Sequence, residues 1–152
     1  MYYYSNYPFC FSFFNRFLFR LALYCDLADE IVQDAKVLPE PARAYIAANF
    51  PKAQISFVKI DRKGTFIEDY TAILADGANI EFTPAGEMKE VKNFAGVPAS
   101  VVPAKISEYV AKTYAGAKII KLKKKVGGFE VKLTNSLELI FSPNGDFLGV
   151  DD

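Results

Sequence analysis

An internal duplication restricts this chain more than any other feature. Residues 79–91, Asn-Ile-Glu-Phe-Thr-Pro-Ala-Gly-Glu-Met-Lys-Glu-Val, are echoed by residues 138–150, Glu-Leu-Ile-Phe-Ser-Pro-Asn-Gly-Asp-Phe-Leu-Gly-Val. Each copy reads as a strand, a Phe-[Thr/Ser]-Pro-x-Gly turn, an acidic residue and a second strand. Pro84 and Pro143 pre-set φ at the second turn position, and Gly86 and Gly145 can take the positive φ that follows a type I turn in a bulged hairpin. Outward from the turns, Leu38-Pro39 matches Val102-Pro103, Tyr45-Ile46 matches Tyr109-Val110, Ile55 matches Ile119 and Leu74 matches Leu133. The offset is 64 residues in the first half of the unit and 59 in the second, so the first copy holds about five extra residues near Arg62–Asp69.

Local patterns fill in each copy. Residues 39–50 predict an amphipathic helix with prolines in its first turn and Ala42, Tyr45, Ile46 and Phe50 on one face; residues 103–114 predict its counterpart through Ile106, Tyr109, Val110 and Tyr114. Pro51 stops the first helix, because the residue before a proline is pushed out of the α region. Four strand-like runs follow each helix: 54–60, 69–75, 78–83 and 87–92, then 118–125, 129–134, 137–142 and 146–150. Alternation puts Phe129, Val131, Leu133, Leu137, Leu139 and Phe141 on one side and Glu130, Lys132, Glu138 and Ser142 on the other. Asp76-Gly77, Asn135-Ser136 and Gly127-Gly128 read as hairpin turns, which makes neighbouring strands antiparallel.

A unit of one helix and four strands would be marginal alone, since a body of about 60 residues buries only about 60% of its chain surface. Two units sharing a sheet remove that difficulty. The expected fold is α+β: two tandem α-β-β-β-β repeats, 37–92 and 101–152, forming one antiparallel sheet of about eight strands. Both helices pack on one face, and the other face is left largely open. The body is expected to be a single domain over 26–152.

Residues 1–25 are unlike the rest. They carry eleven aromatic residues between Tyr2 and Tyr24, no acidic group, and both cysteines, Cys10 and Cys25. The segment reads as a degenerate export signal, a non-native extension or an ordered aromatic arm. Its apolar run is too short for a membrane span, which needs roughly 20 residues. Residues 26–36 form a polar lead-in in which Ile31-Val32 could be a short extended piece.

Composition removes several functional classes. The 18 basic and 18 acidic residues balance, so the electrostatic footprint of nucleic-acid binding is missing. The chain has no histidine, and from Asp26 onward no cysteine, which withholds the usual general base, the commonest metal ligand and thiol chemistry. The acidic residues make no dense calcium loop, and Gly127-Gly128 is not followed by a phosphate-binding Lys-Ser/Thr helix. No catalytic residue, cofactor or metal site is assigned. Lys121, Lys123 and Lys125 share a strand face that Lys132 joins from the next strand, with Glu130 and Glu138 opposite. That face is a patch for an acidic partner, a guard against edge aggregation or a paired solvated surface.

The leading expectation is therefore a non-enzymatic module that grips a protein through the open sheet face. Its candidate contacts are Thr71, Ile73, Glu81, Lys121, Lys123, Glu130, Lys132, Glu138 and Ile140, of which Ile73 and Ile140 are apolar where alternation predicts exposure. The alternative is a small-molecule carrier with an apolar pocket between helices and sheet, lined by Tyr45, Tyr109, Phe82 and Phe141.

Taken in order, Leu38-Pro-Glu-Pro-Ala-Arg-Ala-Tyr-Ile, Ile55-x-x-Val58-x-x-Asp61, Asp76-Gly-x-x-Ile-Glu-Phe-x-x-x-Gly86, Val97-Pro-Ala-Ser-Val-Val-Pro103 and the second Phe-x-x-x-Gly145-x-Phe147 resemble the PepSY-like, β-lactamase-inhibitor-like proteins. The resemblance implies small exported proteins of Gram-negative bacteria with a tandem helix-plus-four-strand fold, no assigned reaction and a periplasmic or secreted location. The position after the first turn, often tryptophan in that family, is Met88 here.

Overall fold

The computed structural model describes residues 29–151; the reading of residues 1–25 falls outside them. Helix α1 (Glu40–Asn49) and helix α2 (Ala104–Thr113) each begin after a proline with helix-compatible φ, −53° at Pro39 and −52° at Pro103. Both end alike. Phe50 and Tyr114 leave the helix with φ near −125° and ψ 57°, and each donates its N–H to a carbonyl one turn back, Ile46 and Val110, at 2.8 Å. The helices fall within a residue of their sequence-predicted bounds.

Nine strands follow chain order in one antiparallel sheet, each paired with the next: β1 (Glu30–Val32), β2 (Ile55–Lys63), β3 (Phe66–Leu74), β4 (Asn79–Phe82), β5 (Met88–Lys92), β6 (Ile119–Lys125), β7 (Gly128–Leu133), β8 (Glu138–Phe141) and β9 (Phe147–Asp151). The sheet is the single antiparallel one expected from two four-strand repeats, with β1 added at its edge, where Ile31 and Val32 pair with Lys59 and Val58. The extra residues of the first copy do not form a loose loop. They lengthen the β2–β3 hairpin, which pairs out to Lys63 and Phe66.

The repeat extends to the irregularities. Bulges fall between Ile55 and Phe57 and between Ile119 and Lys121, and again between Glu81 and Phe82 and between Ile140 and Phe141. A bulge adds one residue to a strand and turns the following side chains, so matched bulges keep the two copies in register face for face. The two copies join where β5 pairs with β6 through Glu90↔Lys123, Val91↔Leu122 and Lys92↔Lys121.

Both helices lie on one side of this sheet. Ala42 and Ile46 of α1 and Ile106 and Val110 of α2 are buried together with Val58, Ile80, Phe82, Val91, Leu122, Val131, Leu139 and Phe141 in one core that crosses the repeat boundary. Full burial of a Leu, Ile or Phe side chain stabilises by about 1.5–3 kcal/mol, so the shared core holds the two halves as one body. Among the described residues no helix is long and apolar enough to cross a membrane.

The repeated turns also touch the helices. Gly86 has φ +88° and Gly145 φ +83°, the left-handed conformation expected after the Pro-containing turn. In each copy the glycine N–H donates to the carbonyl of Thr83 or Ser142, and the next residue's N–H donates to the hydroxyl of that same Thr or Ser. A methyl group at Gly86 would lie 3.0 Å from the Ala42 nitrogen and from Pro39 Cβ, and one at Gly145 would lie 3.1 Å from Lys105 Cβ. The turn is thus seated on the first turn of its own helix. Gly86→Ala should lower the unfolding free energy by more than about 1 kcal/mol, through strain at positive φ and loss of that seat. Gly149→Ala, at ordinary φ with open space around it, should change it little. Urea denaturation of the two variants checks the contrast; equal midpoints would show that the turn does not seat the helix.

Candidate functional site

The helix-free face is laid out by strand register. One row crosses the whole sheet through Ile31, Lys59, Thr71, Glu81, Glu90, Lys123, Glu130, Ile140 and Gly149. The neighbouring row runs through Phe57, Ile73, Asn79, Lys92, Lys121, Lys132, Glu138 and Asp151. All nine sequence-predicted contacts fall in these two rows: Thr71, Glu81, Lys123, Glu130 and Ile140 in the first, and Ile73, Lys121, Lys132 and Glu138 in the second. The structure brings them onto one surface that spans both repeats.

Ion pairs, most of them between strands and two along a strand (Lys59–Asp61 and Lys92–Glu90), knit the face together. Lys59 bridges Asp29 at 3.0 Å and Asp61 at 2.7 Å, while Lys89, the extra residue of the β5 bulge, bridges Asp69 at 2.6 Å and Glu81 at 2.8 Å. On the second copy Lys121 meets Glu130 at 2.8 Å, Lys132 meets Glu138 at 2.7 Å, and Lys125 also closes on Glu130. Glu90 takes Lys92 at 2.5 Å and Lys123 at 3.4 Å. The pairing of Glu130 and Glu138 with the lysines is the cross-strand arrangement that the sequence suggested, but Glu130 is enclosed rather than solvated. The charges nevertheless segregate. Asp61, Asp69 and Glu81 of β2–β4, with Asp29 just before β1, surround Lys59 of β2 and Lys89 of β5, and across the rest of β5–β8 lie Lys92, Lys121, Lys123, Lys125 and Lys132 around Glu90, Glu130 and Glu138.

Three positions differ from what alternation implied. Glu130, expected as an exposed contact, is only 5% exposed, because Lys121 and Lys125 lay their stems over it. Ile73 and Ile140 are half-buried rather than exposed. Sequence reasoning also missed Glu90, equally enclosed at 5% exposure, and a slot of about 280 Å³ formed by Lys92, Phe94, Ile120, Lys121 and Lys132. The repeat offset contained a signal for the slot: a bulge at Ile55 and Phe57 implies one at Ile119 and Lys121, which removes Ile120 from simple alternation.

The ion pairs set the titration of this face. Hydrogen bonds from Lys121 and then Lys125 hold the Glu130 carboxyl down to about 2, against an ordinary value of 4.5. Burial pushes Glu90 up, but Lys92 and the neighbouring lysines outweigh it and leave the group lowered. The carboxylates of Glu130, Glu138 and Asp151 come within 4.8 Å of one another. They could close on a divalent cation only by releasing Lys121, Lys125 and Lys132, so as they stand they form an ion-pair node.

The aromatic residues assigned to the carrier alternative occupy the space they would line. Phe82 and Phe141 are fully buried, Tyr45 meets Phe82 edge to face at 5.8 Å, and Tyr109 meets Phe141 at 5.6 Å while stacking on Phe147 at 4.7 Å. The Tyr45 hydroxyl is buried without a hydrogen-bond partner among the described residues, and burial pushes its ionisation up to about 12. It is therefore a neutral phenol at any physiological pH.

The family model described as "Putative beta-lactamase-inhibitor-like, PepSY-like" matches residues 28–68 and 68–149. The chain belongs to this family. Three solved structures are also similar, each described as a putative periplasmic protein. One from Bacteroides vulgatus, of unknown function, is 34% identical with a TM-score of 0.74, over 82% of this chain and 100% of that one. A second from Bacteroides vulgatus is 30% identical with a TM-score of 0.71, over 82% and 97%. The third, from Bacteroides thetaiotaomicron and described as calcium-regulated, is 27% identical with a TM-score of 0.74, over 82% and 97%. No curated protein matches the chain.

For this PepSY-like chain the depressed Glu130 value has a definite consequence for stability. A carboxyl lowered on folding contributes stability that is fully present above its unfolded value, near 4.5, and is lost as pH falls through about 2. Glu130→Gln should therefore cost about 2 kcal/mol at pH 7, the range for hydrogen bonds to charged groups, and the gap from the unaltered protein should close by pH 2. Urea midpoints measured from pH 7 to pH 2 check this; a gap that stays constant with pH would show that the ion pairs on Glu130 do not stabilise the fold.

Proposed function

We propose that this chain is an exported, non-enzymatic protein-binding module of inhibitor type, directed at a hydrolase such as a peptidase or β-lactamase, and that it grips its partner through the uncovered face of the sheet. One observation carries the reading: a continuous nine-strand face, spanning both repeats, on which the apolar side chains of Ile73 and Ile140 sit in a lattice of paired charges with no helix above them among the described residues. The family description supports the inhibitor class, and the periplasmic descriptions of the similar structures support export.

Comparing the two copies strengthens the argument. Under the helices, matched positions stay apolar: Val58 and Leu122, Ala72 and Val131, Leu74 and Leu133, Ile80 and Leu139, Phe82 and Phe141. On the open face they exchange chemistry: Phe57 and Lys121, Thr71 and Glu130, Ile73 and Lys132, Asn79 and Glu138, Glu81 and Ile140. The scaffold requires its covered positions and leaves the open ones free to be fitted to something else.

An affinity capture from a periplasmic fraction tests the reading. Lys123→Glu, Lys132→Glu and Ile140→Ala should each reduce recovery of the partner at least tenfold and relieve inhibition of its hydrolytic activity. Arg43→Glu, on the exposed side of α1, should leave both unchanged. Capture that is indifferent to all three face variants would dispose of the proposal.

A further inference from the structure

The slot beside β5 and β6 has the chemistry of a binding site for one kind of partner group. Phe94 is 84% exposed, yet it is not on a slack loop. Its neighbour Asn93 is buried, donates its backbone N–H to the Ile120 carbonyl at 2.9 Å, and accepts the Ala95 N–H on its side-chain oxygen at 2.9 Å. The Asn93 carbonyl takes the Gly96 N–H at 2.9 Å. The aromatic ring is thus held out on a turn fixed from both sides, an anchor whose ordering cost is met before anything binds. Ile120, displaced by the bulge, supplies a second apolar wall.

The rim of the slot is cationic. Lys92, Lys121 and Lys132 stand side by side in one cross-strand row, and their carboxylate partners are Glu90, Glu130 and Glu138. Glu90 and Glu130 are enclosed and already carry two lysines each. Leaving aside Lys89, which pairs with Asp69 and Glu81, over β5–β9 of this face five ammonium groups meet four carboxylates, Glu90, Glu130, Glu138 and Asp151, a surplus of one positive charge. The surplus positive charge therefore lies toward solvent. In the first copy the positions matching Lys121 and Lys132 are Phe57 and Ile73, so the repeat scaffold does not impose this rim.

We propose that this slot receives an apolar side chain flanked by carboxylates, presented by an acidic segment of a protein partner: the side chain enters between Phe94 and Ile120, and the carboxylates bridge Lys92, Lys121 and Lys132. At about 280 Å³ the space lies below the usual range of pockets that enclose a whole small molecule, about 300–1,000 Å³, and suits a single side chain. This assignment rests on the open-face reading above and names the partner chemistry at one end of that face.

The experiment is a titration of the full ¹⁵N-labelled chain, followed by NMR, with three blocked peptides: Ac-Asp-Glu-Phe-Asp-Glu-NH₂, its Lys-for-acid counterpart, and its Ser-for-Phe counterpart. A fourth arm uses decanoate. The acidic Phe peptide should shift the amides of Phe94, Ile120, Lys121 and Lys132, with an affinity that falls at least tenfold in Phe94→Ala and in the Lys92→Gln/Lys132→Gln double variant, and that weakens between 50 and 300 mM salt. The other two peptides should bind at least tenfold more weakly. Absence of shifts at millimolar peptide, shifts centred elsewhere, or equal binding of all three peptides overturns the proposal, as does decanoate binding that outcompetes the acidic peptide. Failure here with face-dependent capture of a partner intact would reject the slot and leave the open-face reading standing. Slot binding with capture indifferent to the face variants would do the reverse.

Discussion

The pairing of β5 with β6 is the joint on which the rest of this molecule depends. Either repeat alone offers a helix and four short strands, a unit of the size that buries too little of its surface to be secure. Three residue pairs, Glu90 with Lys123, Val91 with Leu122 and Lys92 with Lys121, make the two sheets one, and Val91 and Leu122 place fully buried side chains at the seam. Because the chain must travel from β5 to an adjacent antiparallel strand through α2, the connection has to pass over one face. It takes the face that α1 already covers. The bare face is therefore a consequence of how two copies are joined, and it is as wide as the whole sheet.

A bare sheet of this width has to be made compatible with water, and lysine does this in two ways. A lysine stem can cover apolar sheet while its ammonium group reaches a carboxylate, on the next strand for Lys121 and Lys125 to Glu130 and along the same strand for Lys92 to Glu90, so both enclosed carboxylates have counter-charges. Such pairs contribute modestly where they are exposed and more where the carboxylate is enclosed, as at Glu130 and Glu90. The arrangement also guards the sheet against stacking on other sheets, since any flat apolar partner would have to strip the ammonium groups of water.

Much of this was legible in the sequence, for physical reasons that differ by element. The repeated turns were readable because Pro and Gly fix φ locally, and the helices because a proline and a 3.6-residue stripe define each one. The two rows of the open face followed from alternation once the turns set the register. Of strand β1 only a short extended piece at Ile31-Val32 was legible, not its place in the sheet. Three residues, Glu30 to Val32, carry no period, and their partners Val58 to Ile60 lie across the whole of α1. The surplus residues of the first copy could equally have made a loop or a longer hairpin, since Gly64 is compatible with either. Burial on the open face was misjudged for Glu130 because alternation assigns sides and says nothing about lysine stems lying over a neighbour. Ile120 was not singled out because the bulge that turns it aside leaves no mark in the alternation of its strand.

The even balance of charge over the whole chain conceals the property that matters most for association. Covered positions are held to apolar residues by the core, whereas the open positions of the two copies have diverged into an acidic half over β1–β4 and a basic half over β5–β8. A neutral protein with a divided face is not drawn to polyanions as a whole, yet it orients a partner whose own charges are divided in the opposite sense, and it repels one presented the wrong way round. On the proposed reading, apolar contacts at Ile73, Ile140 and Phe94 would act only after that orientation is reached. Duplication of one scaffold, followed by divergence of only its uncovered side, is thus sufficient to turn a symmetric platform into a directional one.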